Sequence, residues 1–170
     1  QVAALTAAQV AKLETADVAA LGTAALRGLG ADAIAALTTA QAEALTSGQL
    51  AAFSAAQLGA LETADVAAIS TADIKALTPA ALASLSAEQL GSLSAGQIAA
   101  LTTEQVAALR TDRLSGLGTA QIVALSSAQV GALSSAQVAV LSTAQVAAIE
   151  TADIKALSAA ALRALSVDQL

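Results

Sequence analysis

Residues 101–109 read LTTEQVAAL and residues 141–149 read LSTAQVAAI, and this eight-residue unit runs through the whole chain. From Leu5 to Leu165, every eighth residue is Leu, Ile or Phe, without an insertion or a deletion. A second apolar position stands three residues before each of these, with Ala42 as its one weak member. Such regularity predicts a single continuous octapeptide-repeat array of about 21 repeats over residues 1–170.

Each octad carries the signals of a helix start. The residue after the Leu is Ser or Thr in 14 of the 21 octads, and such residues are favoured N-caps because the hydroxyl accepts from a free N–H of the first turn. Three residues later stands Gln in most octads or Asp in a few, which is the spacing of a capping box. The Leu before the cap and the apolar residue at the fourth helical position have the spacing of a hydrophobic staple. We therefore predict one helix of about six residues in each octad.

Proline and the charged residues support this register. Pro79 falls at the first helical position, where its missing N–H costs nothing. A proline substitution should likewise be tolerated at Ser127 or Ser135, and it should be strongly destabilising at the cap Ser134. All acidic residues except Glu43 lie at the cap or in the next three positions, and five of the seven basic residues lie late in the helix. This is the distribution that short helix dipoles favour.

Two rival secondary structures fail on geometry. In one continuous helix, eight residues advance roughly 80° beyond two full turns, so the Leu positions would circle the rod instead of forming a stripe. A strand needs apolar residues at alternate positions, whereas the apolar positions here are separated by three and five residues.

An isolated octad cannot fold. Ordering eight residues costs roughly 12 kcal/mol, and burying one Val and one Leu returns only about 3–6 kcal/mol. The octads must therefore stack, and nearly identical joins relate them by nearly one screw operation. We predict an all-α fold, a spiral solenoid of very short helices with Val and Leu inside and the cap hydroxyls at the outside or the turns. The sequence does not set the number of octads per superhelical turn.

Composition disfavours several functional classes. The chain has no Cys and no His, so disulfides, thiolate chemistry and histidine acid–base catalysis are absent. A net charge of −6, with seven scattered basic residues, disfavours nucleic acid as a partner. Polar residues in every octad interrupt any apolar run, so no membrane span is predicted.

No site residue emerges from the sequence. The acid pairs Glu14/Asp17, Glu62/Asp65 and Glu150/Asp153 resemble a weak cation site, but their positions at the helix start already explain them as partners of the helix dipole. Gly28–Gly30 and Gly116–Gly118 lack the Lys and the strand of a phosphate loop, and loosened turns explain them. We predict no catalytic, cofactor-binding or metal-binding residue, no cofactor and no enzymatic activity.

One feature favours self-association. From Leu114 to Ile149 there is no charged residue, whereas surfaces usually carry interspersed charges that keep molecules apart. The alternative is that the polar caps keep this stretch solvated. A peptide- or glycan-binding module is the second functional hypothesis, for which the chain offers only Phe53, Arg110 and Arg113 as aromatic or arginine hot spots.

The units LTTEQVAAL (101–109) and LSTAQVAAI (141–149) resemble the tandem octapeptide tracts of very large proteobacterial surface or secreted proteins, often labelled adhesin- or haemagglutinin-like. The resemblance covers the whole chain and implies an extracellular or cell-surface location and a structural role. It transfers no catalytic or binding residue. The expected function is a structural repeat segment of an extracellular fibre or surface stalk, with the chain as part of a longer array; a binding module in a cell-surface adhesin is the alternative.

Overall fold

A computed structural model describes residues 5–170. These residues form two compact units, which lie within Gln1–Leu85 and Ser86–Leu170. The octad register continues in the sequence through the boundary, since Leu85 and Leu93 are eight residues apart. That residues 1–170 form a single continuous octapeptide-repeat array stays a prediction, and each unit is described by itself below.

Every regular element of the described residues is a helix of three to six residues. The α-helices of the first unit are α1 Ala7–Val10, α2 Thr15–Ala20, α3 Thr23–Arg27, α4 Ala31–Ala35, α5 Thr39–Glu43, α6 Ser47–Leu50, α7 Ala55–Ala60, α8 Thr63–Ala68 and α9 Pro79–Leu82, with a 3₁₀ helix at Ile74–Ala76. Those of the second unit are α10 Ala87–Ser92, α11 Ala95–Ala100, α12 Thr103–Ala108, α13 Thr119–Val123, α14 Ser127–Gly131, α15 Ser135–Ala139, α16 Thr143–Ala148, α17 Thr151–Ile154 and α18 Ala159–Arg163, with 3₁₀ helices at Thr111–Gly116 and Val167–Gln169. The prediction of an all-α solenoid of short helices is confirmed.

The helices begin where the sequence predicts. Ser134, for example, has extended backbone (φ −72°, ψ 160°), and its hydroxyl accepts from the Gln137 backbone N–H. In return, the Gln137 side chain accepts from the Ser134 backbone N–H at 2.9 Å. Pro79 is the first residue of α9, after the cap Thr78. The capping box therefore starts most of these helices. Each α-helix ends shortly before the Leu, Ile or Phe that opens the next octad.

Each unit winds into a superhelix in which a helix packs on the helix three octads further along, and we call one superhelical turn a coil. In the first unit α5 contacts α8, and in the second unit α14 contacts α17. The two apolar positions of most octads face inward: Leu58 and Val130, at the fourth helical position, are fully buried, and Leu29 and Leu133 are nearly so. Leu162 and Leu170, in the last two octads, are exposed. Ala42, the weak member of its series, is buried as well. The predicted Val and Leu interior is confirmed.

Gly116 marks a close approach between backbones, and the loosened turn inferred for it was the wrong explanation. A Cβ on Gly116 would lie 2.0 Å from the carbonyl oxygen of Ala87, and one on Gly91 would lie 2.6 Å from the carbonyl oxygen of Gly116. Side chains cannot occupy those distances, so α10 packs on the 3₁₀ helix Thr111–Gly116 through glycine. A Cβ on Gly30, by contrast, would meet no atom within 4 Å.

Among residues 5–170, none of the helices combines the length and the apolar character that crossing a bilayer requires.

Proline substitutions at two adjacent residues, Ser134 and Ser135, test where a helix begins. Ser134→Pro removes the N–H that bonds Gln137 and the capping hydroxyl, and should lower the free energy of unfolding by about 2 kcal/mol or more. Ser135→Pro should change it by less than about 0.5 kcal/mol, because this first helical N–H has no helical acceptor and Ser134 is already extended. Thermal melts followed by circular dichroism at 222 nm measure both variants.

The structure revises the expectation for Ser127, because its hydroxyl donates to the Asp153 carboxylate. Proline at Ser127 should therefore cost more than proline at Ser135. Equal damage from Ser134→Pro and Ser135→Pro would contradict these helix boundaries.

Candidate functional site, the joint between successive coils

The Gln at the third helical position joins each coil to the coil before it. In the first unit, Gln41 Nε2 donates to the carbonyl oxygens of Val10 at 2.9 Å and Leu13 at 2.7 Å. In the second unit, Gln129 Nε2 donates to those of Ile98 at 2.9 Å and Leu101 at 2.8 Å. The acceptors lie 31 and 28 residues earlier in both cases. One coil of each unit therefore takes between three and four octads.

This pair of bonds recurs wherever Gln has a preceding coil in its own unit. We call the set the glutamine joints. Its members are Gln41, Gln49, Gln57, Gln121, Gln129, Gln137, Gln145 and Gln169.

The carboxamide of a glutamine joint has all its polar atoms satisfied. Gln129 is 2% exposed, and its Oε1 accepts from the backbone N–H of its own cap Ser126 at 2.7 Å. Its two Nε2 hydrogens serve the two carbonyls of the earlier coil. The Leu101 carbonyl accepts no backbone N–H, since it lies between two helices. A short helix leaves most of its terminal groups without partners. One Gln supplies the bonds that the Ser126 N–H and the Leu101 carbonyl would otherwise lack, and adds a second bond to the Ile98 carbonyl, which also accepts from the Leu101 N–H.

Other residues fill the Gln position in a minority of octads. Asp65 and Asp153 are buried there and accept from the hydroxyls of Thr39 and Ser127, each 26 residues earlier. In the octad of Ala81, the hydroxyl of Ser84 donates to the Ala55 carbonyl at 2.8 Å and so bonds to the earlier coil instead. Two of the three acid pairs, Glu62/Asp65 and Glu150/Asp153, thus contain a buried acceptor, whereas Asp17 of the third pair is exposed.

The residues considered as binding hot spots are buried in the core or paired with other residues of the chain. Phe53 is 3% exposed and belongs to the core. Arg110 Nε and Nη2 each lie 3.0 Å from an oxygen of Asp112, and Arg113 Nε lies 3.7 Å from the same carboxylate. The hydrogen bonds from Arg110 lower the pKa of the Asp112 carboxyl. These residues form an exposed ion-pair group and not an open anchor for a ligand.

Residues 5–170 contain no group of three or more His, Cys, Asp or Glu side chains placed to hold a metal ion. The interior of the second unit contains a void of about 10 Å³ lined entirely by apolar side chains such as Ile98, Val106 and Leu125. This volume is too small for an organic ligand, and its walls offer a water no hydrogen bond.

The charge-free stretch, residues 114–149, forms more than one full coil of the second unit, since a coil takes between three and four octads and this stretch is longer than four. We call it the neutral band. The second helical residues of its four α-helices, Ala120, Ala128, Ala136 and Ala144, are all exposed. Val123 and Val140 are 49% and 47% exposed, but they are about half a coil apart, so they do not form one apolar patch.

Sequence reasoning missed the bonds between coils. It assigned Gln to the capping box, which Glu can fill equally well. Yet Glu, which is also favoured at a helix N-terminus, never occupies this position in any octad. That exclusion was the available signal, because Glu lacks the two donors that the earlier coil needs.

A family model described as the ALTTAQ repeat matches residues 10–47, 66–103, 106–143 and 146–170, together 139 of the 170 residues. A comparison with curated proteins found no match.

Replacing a joint glutamine should be far more damaging than replacing a capping one. Gln129→Ala leaves the buried Leu101 carbonyl and the Ser126 N–H without partners, and should lower the free energy of unfolding by about 2–4 kcal/mol. Gln9→Ala is the matched control, because Gln9 is exposed and bonds only its cap Thr6; we expect a loss below about 1 kcal/mol. Urea unfolding measures both, and equal losses would argue against the joint.

Proposed function

This chain belongs to the ALTTAQ repeat family, and we propose that it serves as a structural segment of an extracellular fibre or surface stalk in which copies of the chain associate. In this proposal the repeats act as a scaffold and perform no catalysis. The glutamine joint is the observation that supports it most strongly.

The glutamine joints make the fold independent of any particular octad. Each joint is made of one side chain and two backbone carbonyls, so its acceptors are the same whatever the sequence of the earlier coil. Solenoids whose contacts are all between neighbouring turns gain stability with each added repeat. Such a coil suits a part whose length is set by the number of its repeats.

The neutral band supports association between copies. Its exposed side chains are Ala, Ser, Thr, Gly and Val, without the charges that keep protein surfaces apart. Small side chains let a second copy approach closely, and cap hydroxyls such as that of Ser134 can donate to a facing acceptor while they cap the helix. The occupant we propose for this surface is a second copy of the chain.

The extracellular location depends on the resemblance of the octads to tracts of large proteobacterial surface and secreted proteins. A role in a stalk or fibre needs no aromatic or arginine anchor at the surface. The binding-module alternative does need one, and the burial of Phe53 and the pairing of Arg110 with Asp112 count against it.

Placing charge on the neutral band should weaken association. We propose the fourfold variant Ala120→Glu, Ala128→Glu, Ala136→Glu and Ala144→Glu, because all four residues are exposed at the second helical position. Glu88 and Glu104 already occupy that position in α10 and α12, so the helices should tolerate it. Sedimentation velocity over a range of concentrations should show the wild-type chain associating, and this variant at least about tenfold more weakly.

The matched control places the same four charges in the first unit, at Ala16, Ala24, Ala40 and Ala56. These residues are also exposed at second helical positions, so the net charge and the helix context are equal. The control should associate nearly as the wild type does, and electron microscopy should show filaments for both. A wild-type chain that stays monomeric at every concentration, or a control that weakens association equally, would refute the proposal.

A further inference from the structure

Asp65 is a buried carboxylate with one oxygen unused. It occupies the Gln position of α8 and is 2% exposed. Its Oδ1 accepts from the Thr39 hydroxyl at 3.0 Å, whereas its Oδ2 is buried and makes no hydrogen bond. The ion pairs of the described residues join only Arg110, Asp112 and Arg113, so none of the basic side chains at residues 5–170 forms an ion pair with Asp65.

The oxygen acceptors around Asp65 follow from its place in the coil. A Gln at this position would donate to the carbonyls 31 and 28 residues earlier, which are those of Ile34 and Leu37. The bond from Thr39, two residues after Leu37, holds the Asp65 carboxylate at that joint. The Leu37 carbonyl receives no hydrogen bond from any described residue. Asp65 Oδ2 and the Leu37 carbonyl oxygen are therefore two acceptors at this joint that receive no hydrogen bond from the described residues.

The chemistry of this set fits a hard cation. Buried charges in proteins are paired or coordinate metals, and carboxylate, carbonyl and hydroxyl oxygens are the ligands that Ca²⁺ prefers. Asp is one methylene shorter than Gln, so its oxygens stand about 1.5 Å further from the earlier coil. Glu occupies the cap only in three octads, and all three carry Asp in the Gln position. Glu62 is exposed and makes no capping bond, so a second carboxylate stands three residues from Asp65.

We propose that Asp65, the Leu37 carbonyl and the Thr39 hydroxyl form a Ca²⁺ site at the joint between α5 and α8. The ion replaces the two hydrogen-bond donors that Gln supplies elsewhere and neutralises the buried carboxylate. With few protein ligands, its dissociation constant should be on the order of 10⁻⁴–10⁻³ M, the range of weak extracellular Ca²⁺ sites. The site departs from the sequence prediction of no metal-binding residue.

Titration of the ¹⁵N-labelled full chain with CaCl₂, up to about 20 mM, tests this site. The amide signals of Leu37, Thr39 and Asp65 should shift with one saturating curve. An equal concentration of MgCl₂ should shift them far less, because Mg²⁺ loses its water reluctantly. The melting temperature should rise by about 3–6 °C at saturating Ca²⁺.

Three variants sharpen the result. Asp65→Asn keeps the size and removes the charge, and Asp65→Gln restores the standard joint and so should fold well; both should abolish the saturable shifts. Asp17→Asn is the control, since Asp17 lies in the same ETADVAA sequence but is exposed, and it should keep them. Absence of a saturable response in the wild type, an unchanged response in Asp65→Gln, or an equal response to Mg²⁺ would overturn the proposal.

Discussion

The buried carboxamide at the third helical position is the interaction on which the rest of this structure depends. Helices of four to six residues have almost no internal ladder, so most of their backbone groups need partners from elsewhere. At Gln129 one side chain accepts from its own helix start and donates to two carbonyls of the earlier coil. Glu lacks the donors, and it never occupies this position.

The same interaction explains why the octad length does not vary. An inserted residue would move each Gln of the next coil out of register with its acceptor carbonyls, because those carbonyls lie before the insertion. It would also turn the next Val or Leu out of the core. The first and the third helical positions also act together, since the hydroxyls of Thr39 and Ser127 bond to Asp65 and Asp153. Polar bonds and apolar packing therefore require one register. Where another residue replaces Gln, other bonds join the coils, as at Asp65, which accepts from the Thr39 hydroxyl.

Sequence reasoning predicted the local structure well, because the helix starts depend on residues three apart. The cap Ser134, the first-position Pro79 and the inward Val and Leu positions are all as expected. It could not predict the number of octads in a coil, which depends on how helices about 24 residues apart pack, nor the closeness of Gly116 to Ala87. The joint was missed because the capping box already explained Gln. The prediction of no catalytic residue stays a prediction.

The central claim is that buried glutamines bond each coil to the one before it, and hydrogen exchange of their side-chain amides measures this directly. In a ¹⁵N-labelled chain, the Nε2 hydrogens of Gln129 and Gln137 should exchange many times more slowly than those of the exposed Gln9, and should show nuclear Overhauser effects to residues 28 to 31 positions earlier. Free exchange at all of these side chains, in a chain that remains helical by circular dichroism, would contradict the account.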